Sequence, residues 1–163
     1  MTPEQEIISA LQTIPWFQDL KQEYFDKLAG ISSIIEVDTG EALYQQGDKQ
    51  DYLYIILNGR VAIEISVPGK GRSRLYTAEP MEMLGWSSVT PVVRQRTASA
   101  VAVLPCILIR MKAKKLQKLC DENHSFGYVV MRRIANVAAS RLLVTRLLLL
   151  DMFSHSSKEG SNA

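Results

Sequence analysis

Residues 83 to 102 read MLGWSSVTPVVRQRTASAVA. Gly85 is followed by Trp86, Ser87 and Ser88, and eleven residues after Gly85 come Arg96 and Thr97. Such a segment can hold an anion. Glycine lets a backbone come close, freed amides at a helix start donate, and an arginine adds a charged, forked donor. Ser87 and Ser88 can donate as well, and they also suit the first turn of a helix. Trp86 does not fit this pattern, because an indole only donates hydrogen bonds and is bulky.

Other chemistries find little support. The two histidines, His124 and His155, lie outside the strand-forming region, so a strand-borne histidine cluster for a cupin-type metal is missing. No serine sits in a glycine-flanked elbow of the hydrolase kind. Cys106 and Cys120 are too few for a disulfide framework or an all-cysteine metal site, and Cys106 lies in an apolar run that reads as core. The chain therefore reads as a binding protein and not an enzyme.

With 163 residues, 47% of them hydrophobic and 22% charged, the chain suits one soluble domain with a real core. The net charge of +2 gives no whole-protein field toward nucleic acid or an anionic membrane. The N-terminus lacks a basic-then-apolar secretion signal, and the most apolar stretch, RLLVTRLLLLDMF, is interrupted by Arg141 and Arg146. These features lead to an expectation of a cytoplasmic protein.

The elements that position the anion-binding stretch follow from periodicity. Thr2-Pro3-Glu4-Gln5 is a helix start with a capping pair, and Pro15 ends that helix. A second helical piece, LKQEYFDKLAG, closes at Gly30 as a C-cap. From Ile31 to Met111 come the runs IIEV, EALYQ, YLYIIL, VAIEISV, RLYTAE, TASAVAV and CILIRM, separated by turn residues. Asn58-Gly59 is the strongest hairpin signal, and in RVAIEISV the alternation predicts that Val61, Ile63 and Ile65 share a buried face. Many short strands imply a small antiparallel barrel or roll. MKAKKLQKLCDEN is a short amphipathic helix, followed by some thirty residues of helical pattern without proline. In that long helix Val130, Ile134, Val137, Val144 and Leu148 fit a heptad-like seam broken by Arg141, and Leu142 and Leu149 widen it. So broad a stripe predicts packing on the barrel and on a second copy of the chain. The last residues, SHSSKEGSNA, are expected to be a disordered tail.

Taken together, PWFQDL, the glycine-punctuated DTGEALYQQGDKQDYLYIILNGRVAI, LGWSSVTPVVRQRTASAVA and RLLVT resemble the cyclic-nucleotide-binding domain of the catabolite activator protein (Crp/Fnr-like) family. The resemblance covers roughly Pro15 to Met152. It implies a mainly β fold with flanking helices (α+β), a double-stranded β-helix or jelly-roll barrel with a long C-terminal dimerisation helix. The implied layout is one cyclic-nucleotide-binding-like domain over 1–153. It comprises N-terminal helices in 1–30, a β-roll in 31–111 with a phosphate-binding cassette at 84–99, C-terminal helices in 112–153, and a disordered tail at 154–163. The resemblance implies that Gly85 opens the cassette, that Arg96 pairs with the cyclic phosphate with Thr97 beside it, and that Thr145, with Arg141 nearby, meets the base.

Trp86 departs from the pattern, since relatives that bind nucleotides carry an acid there to accept from the ribose 2′-hydroxyl. Losing that acceptor could cost on the order of 1–3 kcal/mol, about tenfold to a hundredfold in affinity. The expected function is a small-ligand-sensing regulatory module with a cyclic nucleotide (cAMP or cGMP) or another small anion as ligand. It would act as a homodimer on a protein partner, without a membrane. No helix-turn-helix unit follows Phe153, so direct DNA binding is not expected. The alternatives are an interaction module plugged by Trp86 and, through His124, a haem-based sensor.

Overall fold

The computed structural model describes residues 1–90 and 92–161; Pro91, inside the 84–99 stretch, and residues 162–163 lie outside the described residues. Helix α1 spans Pro3–Gln12 and begins with the expected capping box, Thr2 and Gln5 exchanging side-chain and backbone bonds at 3.2 and 2.9 Å. A 3-10 turn at Pro15–Phe17 leads to α2, Gln22–Gly30. Gly30 is the last helical residue and not the left-handed cap expected of it: Ile31 caps the helix, and Gly30 is absent from the positive-φ glycines.

Eight strands follow: β1 Ser32–Val37, β2 Ala42–Tyr44, β3 Tyr52–Asn58, β4 Val61–Val67, β5 Gly71–Ala78, β6 Met83–Leu84, β7 Ser99–Ala102 and β8 Cys106–Lys112. They form two four-stranded antiparallel sheets, ordered β1-β8-β3-β6 and β2-β7-β4-β5. The run YLYIIL is apolar throughout because β3 is buried on both faces, as a central strand must be. Leu53 and Ile55 pack among the helices, while Tyr54 and Ile56 pack between the sheets. β8 divides the same way, with Ile109 and Met111 on the helical side and Cys106 and Leu108 on the other.

The Asn58-Gly59 signal does not form a hairpin. β3 pairs with β6 and β8, while β4 pairs with β5 and β7, so the turn is a corner between sheets. The left-handed φ of 95° at Gly59 serves that corner, and a Cβ there would lie 2.4 Å from the Pro105 carbonyl oxygen and 2.7 Å from Cys106 Sγ. In β4 the alternation holds only in part. Val61, Ala62 and Ile63 are all buried, and the register against β5 shifts between Ile63 and Glu64.

Helix α3, Ala113–Glu122, and helix α4, His124–Ser161, close the domain. Asn123 separates them; its Oδ1 accepts from the Phe126 amide (3.0 Å) and from the Tyr24 hydroxyl (3.3 Å). The two helices meet closely at Gly127, where a Cβ would stand 2.7 Å from the Cys120 carbonyl oxygen. The first half of α4 belongs to the core of its own domain, since Phe126, Val130 and Ile134 are at most 4% exposed and Val137 packs beside them. Three of the five residues of the expected seam are thus intradomain.

From residue 143 one face of the helix is free of the barrel, and Leu143, Leu147, Leu150 and Phe153 are 56–66% exposed. Nor does it stop at Phe153. Residues 154–161, expected as disordered tail, continue the helix. An existing helix adds residues without a new nucleation cost, and no proline blocks the ladder there. His155 also lies 3.9 Å from Asp151 on the same face. Among the described residues no helix is long and apolar enough to cross a membrane.

The corner makes a direct test. Gly59→Ala should lower unfolding free energy by about 2 kcal/mol or more, from left-handed strain plus overlap. Gly69→Ala, at φ 77° with open space around it, should cost only the strain. Equal losses in urea titrations of the two variants would refute the close packing at the corner.

Candidate functional site

The cassette begins where β6 ends. Gly85 takes a φ of 69°, and the four residues Trp86–Val89 turn into a short 3-10 helix. Glycine is needed here for proximity as well as for φ. A Cβ on Gly85 would lie 2.6 Å from Arg96 Nη1 and 2.8 Å from the Tyr52 carbonyl oxygen. The backbone that would approach an anion is thus also pressed against the arginine that would hold it.

Arg96 is only 4% exposed. Its Nη2 donates to the Tyr52 carbonyl, its Nη1 donates to Gln50 Oε1 at 3.2 Å, and its guanidinium lies over the Tyr44 ring at 4.1 Å. Among the described residues no carboxylate comes within ion-pair distance of it, and its Nε is buried without an acceptor. A buried cation normally needs a paired anion. Burial lowers the pKa of Arg96, opposed by nearby Tyr44 and Tyr54 and by Asp51 and Asp48 further off. Burial also pushes the Tyr44 hydroxyl up to about 12, against the pull of Arg96, so the tyrosine stays neutral and gives no counter-charge at neutral pH.

A cavity of about 170 Å³ opens beside this group. It gathers Gly85, Trp86, Ser87, Arg96 and Thr97 from the cassette, Arg141 and Thr145 from α4, and Tyr44 and Tyr76 from the second sheet. Seven of the eight sequence-derived site residues therefore meet there. Ser88 is the exception: it is buried on the side of α3, where its carbonyl accepts from Gln117 Nε2 at 3.3 Å, and its hydroxyl has no partner. Trp86 lines the cavity and also packs against the helical core. Thr145 is exposed and donates back to the Arg141 carbonyl at 2.9 Å. Arg141 lies over the Tyr76 ring at 4.2 Å and 3.6 Å from Glu82. His124 sits at the start of α4, away from this cavity, in a groove with Cys120 and Asp121.

Gln50 is the residue that sequence reasoning missed. Its Nε2 donates to the carbonyls of Val93 (2.8 Å) and Gln95 (3.2 Å). Its Oε1 accepts from Ser87 Oγ (2.5 Å) and from Arg96. One amide thus ties together both limbs of the cassette and occupies donors that an anion would use. The loop around it is backed by Gly47 N to Arg96 O and Arg96 N to Asp48 O, both 2.8 Å. No local pattern marks a lone glutamine for this task; only the β2–β3 loop, folded against 93–97, does.

These features define a two-sheet jelly-roll domain with a cavity between its second sheet and α4. Residues 34–123 match the family described as the cyclic nucleotide-binding domain, and the chain belongs to that family. It is similar to a cyclic nucleotide-binding protein from Geobacter metallireducens, with 25% identity, 87% of this chain and 98% of that one covered, and a TM-score of 0.73. It is also similar to the catabolite activator protein of Thermus thermophilus, with 26% identity, 86% of this chain and 63% of that one covered, and a TM-score of 0.68. A cyclic nucleotide-binding domain from Methylobacillus flagellatus shares the fold at 24% identity, with 91% and 83% covered and a TM-score of 0.76. The domain is a regulatory one by family, and the eight strands and long final helix are its fold.

Removing the amide tests its role. Gln50→Ala should cost about 1–3 kcal/mol, because donors and acceptors on both limbs lose a partner. Amide exchange should speed up over 85–97 and leave β1 and β8 unchanged. Exchange that rises uniformly, or not at all, would show that Gln50 is not the tie.

Proposed function

We propose that this chain is a ligand-sensing regulatory module whose ligand is a small anion held by Arg96. The observation that carries the reading is the 4% exposed guanidinium with no carboxylate of the described residues against it, on the wall of a cavity. Such a charge is costly when unpaired, so the site favours any anion that fits. Gly85 and Thr97 complete the grip, and Arg141 and Thr145 let α4 feel the occupant. Cyclic nucleotides are the ligands after which the family and two of the relatives above are named, which makes cAMP and cGMP the first ligands to test. An occupant that favours one placement of the cassette against α4 shifts the population of helix arrangements.

The distal half of α4 is the proposed output. Leu143, Leu147 and Leu150 recur at four and three residues and are 59%, 56% and 64% exposed. A stripe of that spacing suits a parallel partner helix, so the working form is a homodimer that presents the helix pair to a protein partner. Both cysteines are free and buried, consistent with a cytoplasmic setting.

A second reading has one observation in its favour. Trp86 lines a cavity of about 170 Å³, below the roughly 300–1,000 Å³ of sites for larger organic ligands, and so acts as a plug in an interaction module.

Tryptophan emission separates the readings. Trp16 and Trp86 are the two tryptophans of the chain, and Trp86 is the one at the cavity. Titration with cAMP, cGMP and small carboxylate or phosphate anions should give a saturable change that is lost in Arg96→Ala. A flat response to all of them, in fluorescence and in calorimetry, would leave the plugged module standing. Leu147→Glu with Leu150→Glu should turn the dimer into a monomer in light scattering at unchanged far-ultraviolet circular dichroism. A wild-type monomer at high micromolar concentration would remove the helix-pair output.

A further inference from the structure

Two guanidinium groups, not one, face this cavity. Arg141 reaches it from α4, its side chain 15% exposed, flat over Tyr76. Among the described residues its one carboxylate partner is Glu82, and the contact is a long one at 3.6 Å. Glu82 is already engaged, since its other oxygen accepts from the Glu79 amide and closes the turn between β5 and β6. The Nε of Arg141, like that of Arg96, is buried without an acceptor. No Asp or Glu is among the residues that line the cavity. Tyr44 feels both arginines, so the two charges act on one space.

The shape of that space is equally specific. Its volume is about 170 Å³, below the roughly 300–1,000 Å³ of sites for larger organic ligands. Trp86 and Leu75 narrow it with apolar bulk, and it contains no acid to accept from a sugar hydroxyl. A two-cation site with room for a few heavy atoms and no hydroxyl acceptor of carboxylate strength does not describe a nucleoside.

We propose that the ligand of this site is a compact organic dianion with two acid heads a few carbons apart, one head on Arg96 and the other on Arg141. The proposal rests on the reading of Arg96 as an anion holder and adds the second head and its partner. Each head meets a guanidinium, the side chain whose charge-assisted hydrogen bonds to a carboxylate or phosphate are the strong ones. The second head replaces Glu82 as the counter-charge of Arg141. Glu82 is then released into solvent from α4, while it still closes its own turn. That turn contains Met81, a non-glycine residue at a φ of 73°, and its Met81 amide donates to Ile56 on the central strand β3. Occupancy of the cavity thus exchanges a contact between α4 and the β5–β6 turn for one between α4 and the ligand.

The test is calorimetry on the whole chain at low ionic strength, with malonate, succinate, glutarate and phosphoglycolate as two-headed probes. Acetate and inorganic phosphate serve as one-headed probes, and cAMP as the nucleotide. At least one two-headed anion should bind about tenfold or more tighter than either one-headed anion, the gain expected from a second charge-assisted pair. Arg141→Gln should erase that advantage, bringing the two-headed anions down to the affinity of acetate for the same variant, whereas Arg141→Lys should keep part of it. Trp86→Glu, which puts a carboxylate at the cavity, should weaken the two-headed ligand. Thermal melts of each variant without ligand show that it is folded.

If no two-headed probe exceeds acetate or phosphate, or if Arg141→Gln leaves the advantage intact, the proposal is overturned. Tight cAMP binding that needs Arg96 but not Arg141 would also overturn it, while leaving the anion sensor in place. Binding of no probe at all, in wild type and variants alike, would remove both.

Discussion

The structure turns on one buried positive charge that the protein does not neutralise. Arg96 is held by a carbonyl, an amide oxygen and an aromatic face, three partners that donate electron density but carry no net charge. That arrangement makes the guanidinium tolerable and leaves it unquenched. Much of the cassette follows from it. Gly85 is glycine because the guanidinium and the Tyr52 carbonyl lie where a Cβ would be. The loop 45–51 folds against 93–97 because Gln50 and the Asp48 carbonyl have to reach across. Tyr44 is kept neutral by its burial, so it shields the charge without cancelling it.

Helix α4 does two jobs along one axis. Its first half is domain core, fixed through Phe126, Val130 and Ile134 and pinned to α3 where Gly127 allows contact with Cys120. Its second half carries leucines that stand exposed. Arg141 marks the change from one to the other. Its side chain reaches back into the domain at the cavity, and Thr145, one turn on, lines the same cavity. Position along the helix thus sets the order of influence: core, then ligand wall, then free apolar face.

The sequence made the barrel legible because central strands buried on both faces show as unbroken apolar runs, as in YLYIIL and CILIRM. That Gly85, Arg96 and Thr97 come together at one cavity was legible through the resemblance of the whole stretch to the family. Four things escaped. β6, Met83–Leu84, is too short for any period to register. The Asn58-Gly59 dipeptide signals a tight turn but cannot say whether the strands on either side pair with each other; here closure of the barrel sends them to different sheets. Gln50 makes its bonds across more than thirty residues of sequence, so nothing near it announces them. The helical stretch at 154–161 was misread for a related reason: composition reports what a segment would do alone, not what it does at the end of a long helix.

β3 and β8 each place one set of side chains in the inter-sheet core and the alternate set in the helical core. Neither core can therefore be opened without stripping one wall from the other. The cavity side and the helical side belong to a single cooperative unit of unfolding, not to two that melt in turn. An altered residue at the bottom of the ligand site is thereby felt in the helices through shared strands, independently of any signal carried by α4.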